Sequence, residues 1–303
     1  MLALRQAGLV TSPLPFPPVQ YDFGILPQAS QPLIELAAAP AEDRDILLVH
    51  PERHLQRVRQ KCELGGYLDQ GDTPVGPGSF EAAMMAVGMV LTCCDAVAEG
   101  EVRRAFTPVR PPGHHAETNA AMGFCLFSNV AIAARHLIQR RGVARVAIVD
   151  FDVHHGNGTQ AIFAADSQVF YASIHEDAAV CYPHSGYAWE RGVGAGRGAT
   201  LNCPLPVGSG DGACMLALTE QVIPALEKFR PEFLLLSAGF DAHHADPLAE
   251  LRLTEEGYDA MTRRLVSFAD ATCGGRIVSV LEGGYDLRSL GRCVVRHVMA
   301  LQH

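Results

Sequence analysis

The sequence predicts an α/β fold: a single domain built on an open parallel sheet flanked by helices. Three observations carry this expectation. Short apolar runs such as Val146-Ala-Ile-Val149 and Phe233-Leu-Leu-Leu236 lack the alternation of a half-exposed strand, which implies burial on both faces. Stretches of helical character, about ten residues or longer, separate these runs and imply crossover connections. Four of the runs end in clusters of His, Asp, Gly or Tyr, and an open parallel sheet binds ligands beyond the carboxyl ends of its strands.

Taken in order, residues 11–32 are rich in Pro and carry little periodicity, so residues 1–45 read as an atypical, irregular lead-in to one domain spanning 1–303. A helix runs from Ser79 to about Glu99, behind the Gly76-Pro-Gly78 stop, and strand Arg104–Val109 follows. Helix Ser128–Arg141 precedes strand Arg145–Val149, which ends at Asp150. Gly156 and Gly158 open a short helix to about Ala164. Strand Gln168–Ile174 leads into a long loop, His175–Gly198. Helix Gly212–Phe229 precedes strand Phe233–Leu236, and helix Thr254–Ala271 precedes strand Arg276–Leu281. Helix Leu287–Leu301 closes the chain.

Composition narrows the function. A chain of 303 residues, 48% hydrophobic and 19% charged, suits one large globular domain or at most two. The net charge of −9, without blocks of like charge, argues against nucleic acid, whose footprint is a basic patch; it still suits a basic substrate. Nine cysteines, an odd number with no C-x-x-C pair, disfavour a disulfide framework or a zinc knuckle. They read as small apolar fillers in a reducing cytoplasm, with Cys125 the exception because it lies near a His pair. The amino terminus lacks a signal-peptide pattern. No stretch is expected to be long and apolar enough to span a membrane, since Phe80–Val97 is interrupted by Glu81, Thr92 and Asp95. The expectation is a cytoplasmic chain, and an oligomer is compatible with it.

The chemistry lies in the strand-end clusters. Asp152 and His154 are two apart, and on an extended segment both side chains point to one side. Asp241, from another strand end, completes a three-ligand metal set with open positions, the mark of a catalytic site. The alternative for each such Asp is a helix cap or turn. His114 and His115 follow the stiff Arg110-Pro-Pro-Gly113 segment and suit a pair of proton carriers. Asp150 and Asn157 would orient the two imidazoles; for Asp150 a strand-end hydrogen bond to backbone is the alternative. Tyr285, after Gly283-Gly284, is a donor for a developing oxyanion, or the turn before a helix. His175, His184, His243 and His244 read as solvated loop imidazoles, and His50, His54, His136 and His297 as helix or loop surface.

At these residues the chain resembles the metal-dependent histone deacetylase superfamily, in its class II-like form, which also contains acetylpolyamine amidohydrolases and acetoin-utilisation proteins. The matching motifs are Arg110-Pro-Pro-Gly-His-His-Ala116, Gly123-Phe124-Cys125, Val149-Asp-Phe-Asp-Val-His-His-Gly-Asn-Gly-Thr-Gln160, Ser237-Ala-Gly-Phe-Asp-Ala-His243 and Leu281-Glu-Gly-Gly-Tyr-Asp286. They occur in the family's order over roughly residues 46–300. The resemblance implies the arginase/deacetylase fold and one zinc ion bound by Asp152, His154 and Asp241. It implies His115 as general base and then general acid, His114 as its electrostatic partner, and Tyr285 as oxyanion donor. Gly123, Phe124 and Tyr182 would line an acyl-lysine tunnel, with Gly283 and Gly284 against the substrate and Asp72 as an acidic rim residue holding its backbone. A structural potassium ion would sit among Asp150, Asp152, His154, Ser173 and Ile174. Asn157 stands where class I members use Asp.

The implied activity is removal of an acetyl or other acyl group from the lysine side-chain amine of a peptide or protein. Leu248 occupies a gate position where a polyamine-selective relative carries Glu, which favours a neutral acyl-lysine. An acetylpolyamine or other small N-acyl amine is the alternative substrate. A non-catalytic protein that binds acyl-lysine is the alternative of another class. An arginase-like binuclear manganese site is disfavoured, because the sequence after His154 and Asp241 offers too few extra carboxylates; no residue specifies the acetoin role. One departure stands out. Family members begin with a strand and a His-Pro-Glu-Arg-Pro stretch, whereas here Leu2–Leu9 reads as the tail of the following helix, and the opening strand is missing or replaced by Pro13–Gln31.

Overall fold

The apolar runs pair with one another as neighbours. The computed structural model describes residues 1–11, 21–29 and 32–303. Helix α1 (Leu2–Gln6), an extended segment, α2 (Asp43–Ile46) and α3 (Glu52–Leu64) lead to a hairpin of β1 (Gly66–Tyr67) and β2 (Pro74–Val75). Then come α4 (Ser79–Ala98), β3 (Arg104–Thr107), α5 (Asn129–Arg141), β4 (Val146–Asp150), α6 (Asn157–Phe163), β5 (Val169–Glu176) and β6 (Thr200–Leu205). The chain ends with α7 (Asp211–Ala217), α8 (Ile223–Phe229), β7 (Phe233–Ala238), α9 (Glu255–Thr272), β8 (Ile277–Leu281) and α10 (Leu287–Leu301).

Strands β3 to β8 form a parallel sheet in the order β3-β8-β7-β4-β5-β6. The central strands β4, β5 and β7 are buried at every residue, as their unbroken apolar character predicts. One face packs on α1 and α7 to α10, the other on α4 and α5. Each fully buried Val, Leu or Ile contributes about 1.5–3 kcal/mol of transfer free energy. In register, Asp150 lies opposite Ser173 on β5 and Ser237 on β7. The polar strand ends therefore emerge side by side.

Several expectations need correction. The expected helix Gly212–Phe229 is interrupted by a π-helical turn, Leu218–Val222, ahead of Pro224, a residue that cannot donate a helical hydrogen bond. The stretch after Ile174 is not all loop: β5 continues to Glu176 and β6 follows. Helix α3 and the β1–β2 hairpin were not expected; α3 opens on His50-Pro51-Glu52-Arg53, so the His-Pro-Glu-Arg stretch and its helix are present here and Leu2–Leu9 is not the helix's tail. Helix α4 is long and apolar enough to cross a membrane by length and composition, but most of its apolar side chains pack inward against α3, α5 and β3. His50, His54, His136 and His297 are buried, not surface, as are His175 and His243. Of the irregular lead-in, residues 12–20, 30 and 31 lie outside the described residues; the described remainder contains α1, and no described strand precedes Gly66.

Strand β3 is one edge of the sheet. A groove of about 960 Å³ runs along it, lined by residues such as Leu33, Phe106 and Val298. None of the strand-end His, Asp or Tyr clusters lines this groove, so its size does not make it the chemical site.

Candidate active site

Strands β4, β7 and β8 deliver a buried cradle. Donor atoms of Asp152, His154 and Asp241 all lie within 4.8 Å of one another. His154 Nδ1 is 3.1 Å from Asp152 Oδ1 and 3.2 Å from Asp241 Oδ2. Backbone fixes the far side of each carboxylate: Gly283 N–H donates to Asp152 Oδ2 at 2.8 Å, and Val153 N–H to Asp241 Oδ1 at 3.0 Å. Asp241 Oδ2 is buried with no hydrogen-bond partner among the described residues; its contact with His154 has the distance of an ion pair but not the angles of a hydrogen bond. Burial and the adjacent Asp152 push the Asp241 pKa up. An orphaned carboxylate oxygen, a second buried carboxylate and an imidazole nitrogen facing one point fit a divalent cation, which would remove the repulsion.

Glycine makes this approach possible. A Cβ on Gly239 would fall 2.1 Å from Asp152 Oδ2, and one on Gly283 would fall 2.0 Å from Asp241 Oδ2. Both are far inside contact distance, so no other residue fits without moving the cradle.

Beside it sit two imidazoles with unlike partners. His114 donates from Nδ1 to Asp150 Oδ2 at 3.0 Å, and His115 from Nδ1 to the Asn157 side-chain oxygen at 2.8 Å. Asn157 in turn donates to Glu117 at 2.9 Å, which fixes its amide. The Tyr171 hydroxyl also donates to Asp150, at 3.1 Å. Burial opposes charge on His114, but Asp150 and then Asp152 outweigh it and raise its pKa to about 10. For His115, burial and then its neighbours His114 and His154 hold the pKa well below the ordinary value. The two rings are pushed in opposite directions, the separation expected of paired acid–base groups. Tyr285 completes the set: burial, then the Asp241 and Asp152 carboxylates, push its phenol pKa up, so it stays protonated as a donor.

Comparison with known proteins decides what this arrangement is. The histone deacetylase domain family matches residues 21–301. The chain belongs to the histone deacetylase family. It is 45% identical over 252 residues to a histone deacetylase-like amidohydrolase of Pseudomonas aeruginosa, covering 82% of this chain and 66% of that protein. It is 41% identical over 258 residues to a probable deacetylase of Archaeoglobus fulgidus, covering 85% and 71%. The crystal structure of the HDA15 HD domain superimposes with a TM-score of 0.82 at 37% identity, covering 88% of this chain and 75% of that one. The chain thus spans about two thirds of the length of the Pseudomonas relative. The domain is, by family, a histone deacetylase domain.

The other residues expected in a histone deacetylase site gather around this centre. Gly123 lies against the His115 ring. The Phe124 ring is 5.9 Å from that of Tyr285, and the Tyr182 ring 5.1 Å from that of His115. Asp72 is exposed and Leu248 is 48% exposed. Ser173 is buried opposite Asp150, with its hydroxyl 2.7 Å from His175 Nδ1. The imidazoles expected to be solvated divide: His184 and His244 are exposed, while His175 bonds Gly186 and His243 accepts from Ala245 N–H.

Sequence reasoning missed two acidic supports of the site. Glu282, fully enclosed, accepts Gly113 N–H at 2.6 Å, His114 N–H at 3.1 Å and the Ser237 hydroxyl at 3.0 Å. An acid placed directly after an apolar strand was the available signal. Asp246 binds backbone beside Tyr285, and nothing in its local sequence announces that. Cys125 is buried and its thiol pKa is raised by burial, so its proximity to the His pair does not make it a nucleophile.

Proposed function

We propose that this histone deacetylase domain removes an acetyl or related acyl group from the side-chain amine of lysine in a peptide or protein, using one zinc ion held by Asp152, His154 and Asp241. The observation that carries the reading is the orphaned Asp241 Oδ2 facing His154 and Asp152, next to the oppositely tuned His114 and His115. Held by Asp152, His154 and Asp241, a zinc ion would supply Lewis-acid chemistry, a lowered pKa for water and a polarised acyl carbonyl.

The chain's own groups supply the rest. His115 is neutral, and Asn157 holds its Nδ1–H, so Nε2 takes the proton from the attacking water. As the C–O bond forms and the C–N bond breaks, the same nitrogen returns that proton to the leaving amine. His114, charged against Asp150 with its ring centroid 4.0 Å from that of His115, keeps His115 unprotonated until the reaction begins. The Tyr285 hydroxyl donates to the carbonyl oxygen as it gains charge. At the rim, the apolar Leu248 offers no attraction to a cationic polyamine, which favours a neutral acyl-lysine. A potassium ion near Asp150, Asp152, His154, Ser173 and Ile174 would support the loop between them.

The test is turnover of an acetyl-lysine peptide beside N-acetylputrescine, with metal content measured on the same sample. Expected are peptide turnover, about one zinc per chain, loss of activity on chelation and its return with zinc. Turnover of the polyamine alone would overturn the lysine assignment. Bound metal with neither substrate turned over would overturn deacetylation.

A further inference from the structure

We propose that Asp246 is the positioning residue for the Tyr285 phenol, clamping its backbone and tying it to the Leu248 rim. Its carboxylate is shared between two chain segments. Oδ2 accepts the backbone N–H of Tyr285 at 2.7 Å and of Asp286 at 3.1 Å. Oδ1 accepts the N–H of Leu248 at 3.1 Å. The residue is 7% exposed, and its own N–H donates to His243 O at 2.8 Å, which anchors the turn that follows the ligand Asp241.

The need for a clamp follows from local chemistry. Tyr285 comes directly after Gly283-Gly284, a pair that leaves the backbone direction weakly determined by itself. An oxyanion donor must reach its acceptor with sub-ångström accuracy, because a misplacement of about 1 Å costs roughly 10²-fold in rate. Phe124 limits the ring on one side, but a ring contact does not fix the Cα–Cβ direction. Two charge-assisted bonds on consecutive N–H groups at Tyr285 and Asp286 do. Asp286 then caps α10 by accepting Ser289 N–H, so the fixed direction is carried into a rigid helix. The Leu248 bond joins the same carboxylate to the exposed rim, so rim and phenol keep one spacing.

This inference rests on Tyr285 being the oxyanion donor, and the experiment separates the two. Asp246→Asn and Asp246→Ser are made in the zinc-loaded full chain, alone and combined with Tyr285→Phe, and kcat, KM and Tm are measured with an acetyl-lysine peptide. The expected result is a kcat lowered about tenfold to a hundredfold, a KM within about twofold, and little further loss in the Tyr285→Phe background. A residue acting through the phenol can lose no more than the phenol does. Unchanged kcat in the Asp246 variants beside an impaired Tyr285→Phe would sink the clamp alone, and so would equal losses in both backgrounds, which mark a general structural role. A fully active Tyr285→Phe would remove the donor assignment and the clamp with it. Amide hydrogen exchange on the unaltered chain gives a reading independent of how the variants fold. The Tyr285 and Asp286 amides should be protected like those of α10, and exchange at solvent rates would overturn the proposal.

Discussion

Tyr285→Phe deletes one hydroxyl and leaves the ring against Phe124. The loss of a single oxyanion donor typically costs about 10²–10³ in kcat, so that range is expected with metal content unchanged; activity equal to the parent would remove the assigned role. Glu282→Ala makes a different demand. It strands the N–H groups of Gly113 and His114 in a site without water access, and the domain should lose about 3 kcal/mol or more in urea unfolding. These two residues also mark what single-residue reading could reach. Asp152, His154, Asp241, His114, His115 and Tyr285 were legible because reactive residue types stood just after apolar runs. Tyr171 was not: on a strand it reads as core, and only the fold brings its hydroxyl to Asp150. Asp246 and Glu282 act on backbone groups distant in sequence, and no local pattern encodes such a partner.

Elements differed in the same way. Central strands were legible because burial on both faces leaves an unbroken apolar run. Strand β6 was not, since it lies at the sheet edge and carries Asn202 and Pro204, and Pro is tolerated at an edge that needs fewer donors. The stripe Leu55, Val58, Cys62 on α3 and Pro224 at the break before α8 were signals present but not used. Between β1 and β2, Asp69 organises the rim. Its Oδ1 accepts the N–H groups of Gly71, Asp72 and Thr73 at 3.1, 2.8 and 2.8 Å, and Thr73 then bonds Phe124 N–H. Asp69→Ala should release Asp72 while leaving the cradle alone. The expected signature is a KM for acetyl-lysine peptide raised about tenfold to a hundredfold, roughly the worth of one charge-assisted bond, with kcat nearly constant. A fall confined to kcat would contradict this division.

For the whole molecule, buried histidines set the acid limit. Burial first, and for His50 also its neighbour His54, lowers the pKa of His50 and of His297 to about 3. In the unfolded chain both titrate near the ordinary value of about 6.5. Between those two values the unfolded chain binds more protons, so these two histidines cost stability as pH falls through that window. The melting temperature should therefore drop progressively below about pH 6. His50→Asn and His297→Asn should flatten the drop, and an unchanged slope would locate the acid sensitivity elsewhere. The convergence of polar clusters at one sheet edge was legible at this scale, because parallel topology alone dictates it. The open edge at β3 was not, since it depends on which strand has no neighbour.

The cradle's walls at Gly239 and Gly283 constrain how such a protein can diverge. Under random substitution these two positions should come back from a functional screen unchanged, since even the smallest side chain overlaps a carboxylate. Leu248 faces solvent and should return a broad spread of residues. A lineage carrying this chain is thus free to vary its exposed positions one substitution at a time, while the cradle stays locked by two hydrogen atoms.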